Sequence, residues 1–71
     1  MRTYVKFYFS SEGAGPLDLV DQMRNIGFRA EVGDYDFSVE WHTPEQYGNM
    51  VRKMHSLLAG SRVRYTLMTK S

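Results

Sequence analysis

"FRAEVGDYDFSVEW", residues Phe28 to Trp41, reads as two short strands around a turn. Gly33-Asp34 supplies a two-residue connection, with glycine taking the positive φ that a type II′ turn needs first. That turn sets the register: Val32 faces Tyr35, Ala30 faces Phe37, and Phe28 faces Val39, all on one side. The other side carries Arg29, Glu31, Asp36, Ser38 and Glu40. An apolar face backed by a charged one is the pattern of an antiparallel sheet with one face covered and one in water. Trp41 ends the second strand on the apolar parity, placed to cover one end of the sheet.

The flanks of this hairpin read as helices. Upstream, Pro16 suits a first helical position, because the amide it lacks would be unpaired there anyway. Asp18 favours the positive end of the helix dipole. Leu19, Val20, Met23 and Ile26 form an apolar stripe at helical spacing. Gly27 is a left-handed stop after which Phe28 folds back. Downstream, Thr43, Pro44 and Gln46 make a capping box with proline first. Tyr47, Met50, Val51, Met54, Leu57 and Leu58 then follow the helical period until Gly60. Both ends of the chain alternate again. "RTYVKFYFSS" places Thr3, Val5, Phe7 and Phe9 inward and Tyr4, Lys6, Tyr8 and Ser10 outward. "RVRYTLMT" places Val63, Tyr65 and Leu67 inward and Arg62, Arg64, Thr66 and Met68 outward.

The order strand, helix, strand, strand, helix, strand is the βαββαβ pattern of ferredoxin-like α+β sandwiches. It predicts a single domain over residues 1–71, with two helices on one face of a four-stranded antiparallel sheet. Resemblance to that fold implies the spatial order fourth, first, third, second. A chain of 71 residues suits one domain. So small a core rarely supplies more than about 3–5 kcal/mol, which makes association with another copy an available reinforcement. Cysteine is absent, so a disulfide framework and a thiolate metal site are excluded. No apolar run approaches the ~18 residues of a membrane span, and no secretory leader pattern opens the chain. The expectation is a cytoplasmic protein away from membranes. A net charge of +1 neither invites nor forbids nucleic acid, so local clustering must decide.

The outward residues divide into a basic, aromatic half on the first and fourth strands and a mostly acidic half on the second and third. Glu31 falls opposite Asp36, a like-charge pair that calls for a cation such as Lys6. Such a face could simply be solvated. Its two halves are also self-complementary under a two-fold rotation, which suits a homodimer or another protein partner, with exposed tyrosines as anchors. Tyr4, Lys6, Tyr8, Asp36, Glu40, Arg62 and Arg64 are the candidate surface. The alternative is single-stranded nucleic acid, with Tyr4 and Tyr8 stacking bases while Lys6, Arg62 and Arg64 follow the backbone. RNA-recognition domains use this topology in that way. They carry aromatics on the third strand, however, where this chain reads "YDFSVEW".

Other constellations are weaker. "SSEGAGP" lacks the Gly-Lys-Ser/Thr ending of a phosphate loop. "GPLDLVDQMRNIGF" resembles the start of an ACT domain at Gly15, Leu17, Val20 and Gly27. That resemblance implies a small effector bound near Gly13, Gly15 and Pro16. The length and topology are also similar to heavy-metal-associated domains, whose Cys-x-x-Cys is missing here. They are similar to acylphosphatases too, whose arginine-bearing phosphate loop is missing. His42 and His55 have no metal-ligand spacing. Ser10, Ser11 and His42 do not assemble into a nucleophile and base. Met50 and Met54 read as core filler. Arg52 and Lys53 read as solvated cations near a helix end. The expectation is a non-enzymatic binding or assembly module that self-associates through the open sheet face, without metal or cofactor, with weak single-stranded nucleic-acid binding or an ACT-like effector site as the alternatives.

Overall fold

The alternating run at the start of the chain forms β1 (Arg2–Tyr8), and every other side chain of it is buried from Thr3 to Phe7. The computed structural model describes residues 1–13 and 15–71. The elements that follow are α1 (Pro16–Asn25), β2 (Arg29–Ala30), β3 (Phe37–Glu40), α2 (Pro44–Leu58) and β4 (Arg64–Lys70). The sheet is antiparallel in the order β2-β3-β1-β4, so β1 is a central strand and β2 and β4 are the edges. This is the ferredoxin-like α+β arrangement.

Both helices bury their stripes against one sheet face. Leu19 and Met23 from α1 and Met54 and Leu58 from α2 share a core with Val5, Phe7, Phe37 and Val39. The helix ends are fixed as the sequence implies. Gln46 donates its amide to the Thr43 hydroxyl and returns its side-chain oxygen to the amides of His42 and Thr43. At the end of α1, the Gly27 amide donates to the Arg24 carbonyl and the Phe28 amide to the Met23 carbonyl. Those two bonds make a Schellman motif, with Gly27 at φ 104° in the left-handed position it requires. Phe28 is thereby returned to the core.

The hairpin keeps its expected register, Arg29 against Ser38 and Ala30 against Phe37, with Gly33 at φ 102° in the turn. Its tip departs from expectation. Val32 was expected on the core face, yet it is 101% exposed, because the tip runs past the layer the helices cover. Ala30 is exposed as well, on the edge strand, where it lines an open hollow with Pro16 and Val20 of α1. Phe9 also falls short of the core: it lies beyond the last paired residue of β1, 37% exposed, touching Phe7 edge-on.

The opposite end of the sheet is closed by Trp41. Its indole N–H donates to the Thr3 hydroxyl at 2.9 Å, and that hydroxyl lies 2.8 Å from Thr69 on β4. The Trp41 ring also packs on Tyr47 of α2, centroids 4.9 Å apart. Thr3 is 1% exposed, so a polar atom sits inside the core only because it ties three elements together. Thr3→Val keeps the shape and orphans the indole donor. The expected outcome is a loss of about 1–3 kcal/mol in denaturant unfolding. Trp41 is the only tryptophan, so its emission reads the change directly.

Candidate functional site

The face away from the helices is organised by Asp36. In a regular antiparallel strand the N–H and C=O of one residue serve the same neighbouring strand. At Asp36 they serve opposite ones: its amide donates to Val5 on β1, and its carbonyl accepts from Glu31 at the end of β2. Its carboxylate then accepts the Phe7 amide at 2.7 Å. A side chain thus replaces a backbone carbonyl in the β1–β3 ladder. The effect is that of a bulge, which re-aims the side chains on one side of it. Asp36 was expected to point outward as part of an acidic half; instead it is engaged with the backbone of β1.

The same interruption corrects Tyr35. Pure alternation puts it on the core face with Phe37, two residues away. Its ring instead lies on the open face, 5.1 Å from that of Tyr4, and its hydroxyl donates to the Met68 sulfur at 2.9 Å. Tyr4 and Met68 are direct partners across β1 and β4. The Lys70 ammonium sits over both rings, 5.3 Å from the Tyr4 centroid and 5.6 Å from that of Tyr35. These are cation–π distances.

Further along β1, the Lys6 ammonium lies 5.9 Å from the Tyr8 ring centroid. Tyr8 is 48% exposed and pairs with Arg64. Tyr4 and Tyr8 are therefore separated by about 13 Å along the strand. An open hollow of about 320 Å³ lies among Arg2, Tyr4, Glu40 and Lys70. Another, of about 350 Å³, lies beside Tyr8, Arg64 and Thr66.

The remaining carboxylates of this face are matched. Glu40 is 3.5 Å from Arg2, its partner residue on β1. The Tyr4 hydroxyl, then Glu40, hold the Arg2 guanidinium above its usual range, so it stays charged. Glu31 accepts from the Ser38 hydroxyl at 2.8 Å and lies 4.0 Å from Arg29. The expected clash between Glu31 and Asp36 is thus relieved by Ser38, Arg29 and the Phe7 amide rather than by Lys6. Among the described residues, Lys6, Arg64 and Lys70 have no carboxylate within ion-pair distance.

Arg62 does not belong to the face. It stands before β4 in a turn, at φ 61°, and its guanidinium is 2.8 Å from Glu12 in the β1–α1 loop. Gly13 packs so tightly on this turn that a Cβ there would lie 2.4 Å from the Ser61 carbonyl oxygen. The Gly15 amide, at the entrance of α1, is taken by the Asp18 carboxylate at 2.8 Å, and Pro16 is exposed. The loop residues Gly13, Gly15 and Pro16 therefore serve as a packing point, a helix cap and a helix start. Arg52 and Lys53 line a hollow of about 500 Å³ with Ile26, Asn49 and Ser56, away from the sheet. His42 is exposed, and His55 is exposed with its Nδ1 3.2 Å from the Tyr65 hydroxyl.

Sequence reasoning missed Tyr35, Lys70 and Arg2 on this face. Continuing the outward alternation one step past Met68 finds Lys70, and one step before Tyr4 finds Arg2. No such step finds Tyr35. Among the described residues there is no group of histidine, aspartate or glutamate arranged to hold a metal, and no helix long and apolar enough to cross a membrane. Compared with protein-family models, curated proteins and solved structures, the chain finds no match in any of the three.

Asp36→Ala removes the acceptor of the Phe7 amide. The expected cost is about 1.5–3 kcal/mol, the range for a hydrogen bond to a charged group. Asp36→Asn keeps an acceptor and should recover most of it. Denaturant unfolding measures the loss, and amide exchange at Phe7 locates it.

Proposed function

We propose that the protein is a non-enzymatic module that binds single-stranded nucleic acid across the β1–β4 half of its open sheet face. The supporting observation is the grouping of Tyr4, Tyr8 and Tyr35 with Lys6, Arg64 and Lys70, the cations lacking carboxylate partners among the described residues. Bases stack on exposed aromatic rings while cations follow the phosphates. Asp36 and its charge are drawn into the β1 backbone, and Glu31 and Glu40 each face an arginine, which lowers the repulsion that a phosphate chain would meet. Tyr35 also brings the third strand's end an aromatic on this face, the feature whose absence weakened this reading at the level of sequence.

The other expectations gain less. Face-to-face self-association drew on an acidic half. With Asp36 engaged by the Phe7 amide and Glu40 and Glu31 each beside an arginine of the same chain, that half has little charge left to offer the cations of a second copy. An ACT-like effector near Gly13, Gly15 and Pro16 would have to displace the Asp18 carboxylate from the Gly15 amide.

Fluorescence anisotropy of labelled oligo(U) and oligo(dT), titrated at low and moderate salt, tests the proposal. Binding should weaken steeply with salt. Tyr8→Ala should lower affinity about tenfold, within the ~1–3 kcal/mol of one base stack. Lys6→Ala should reduce the salt slope by about 0.7. No binding at low salt, or binding indifferent to both substitutions, overturns the reading.

A further inference from the structure

The two edges of the sheet are treated differently. β2 has only two paired residues, beyond which Glu31 makes a single further backbone bond and the chain departs into the exposed tip. Such a short edge offers little to a partner strand. β4 is a seven-residue edge, every residue paired with β1 on one side. It contains no proline, glycine or interruption of its register. A long, straight edge with unpaired amides and carbonyls is a template for another strand.

We propose that β4 pairs with β4 of a second copy, antiparallel about a two-fold axis at Thr66, joining two four-stranded sheets into one. Self-pairing is supported by how the side chains fall. With the axis at Thr66, Tyr65 stands opposite Leu67 of the second copy, and Arg64 stands opposite Met68. Tyr65 and Leu67 are half-buried at the margin of the core, and each would cover the other's remaining exposed surface. Lys70 falls opposite Arg62, which lies outside the strand and is held by Glu12. Moving the axis to Leu67 sets Arg64 head-on against Lys70 on one face, a like-charge pair. Moving it to Met68 sets Tyr65 against Ser71, beyond the end of the strand, and leaves its ring uncovered. The cations near the ends of β4 thus select a register rather than prevent pairing. The joined sheet would place the two tyrosine platforms side by side on one continuous face. The inference is independent of the nucleic-acid reading.

The chain has no cysteine, so a single introduced thiol reports its own neighbourhood. Under mild oxidation Thr66→Cys should form a disulfide-linked dimer. Arg64→Cys and Met68→Cys should each form no disulfide-linked dimer alone but cross-link when mixed. In sedimentation equilibrium the unmodified chain should show twice its 8.3 kDa mass, and Thr66→Lys, which sets two ammonium groups across the axis, should return it to 8.3 kDa. Thr66 is exposed, so neither substitution disturbs the core. Tyr8→Ala, which should weaken oligonucleotide binding, lies on β1 away from the free edge and should leave the mass at twice 8.3 kDa, which separates the two proposals. A mass of 8.3 kDa from micromolar to millimolar concentration overturns the inference. Cross-linking of Thr66→Cys only with Met68→Cys overturns the register.

Discussion

The Asp36 carboxylate on the Phe7 amide is the contact on which the open face depends. Without it, β1 and β3 would continue their ladder toward the hairpin tip, and Tyr35 would sit on the side of the helices. With it, the alternation breaks once. Tyr35 then crosses to Tyr4, Met68 and Lys70, and one negative charge leaves the face. A single hydrogen bond to a backbone amide thus decides both the aromatic content and the charge balance of the available surface.

The rest of the molecule keeps that face away from the core. Packing is concentrated on the helix side, where Val5, Met23 and Met54 are fully buried. Polar atoms inside it are satisfied by Thr3, Thr69 and Trp41, and among the described residues no buried side-chain nitrogen or oxygen lacks a partner. The far side carries side chains with a different task. Tyr4 and Tyr8 flank Lys6 on a strand whose other face is core, so their rings and its ammonium are held on a rigid support. Ser38, on that same side, is only 2% exposed, since Glu31 takes its hydroxyl and neighbouring side chains shield it.

The fold was legible because its signals are local and agree with one another. Gly33 fixed the hairpin register, Gly27 and Gln46 fixed helix ends, and alternation in β1 and β4 fixed which side chains meet the helices. The binding face was legible only where alternation continued unbroken, as at Tyr4, Lys6, Tyr8 and Arg64. It failed at Arg62, where a left-handed residue ends the turn before the strand begins, and at Val32, where the sheet outruns the helices. Asp36 and Tyr35 failed for a deeper reason. Whether a carboxylate caps a neighbouring strand's amide depends on a residue some thirty positions away, and period-two reading carries no such information.

The most direct test is a nuclear Overhauser measurement of the Tyr35 ring. The account predicts cross-peaks from its ring protons to the Met68 methyl and to the Tyr4 ring, with none to the side chains of α1. Cross-peaks from Tyr35 to Val20 or Leu19, with the Met68 methyl silent, would mean that alternation runs unbroken through Asp36. The platform described above would then not exist.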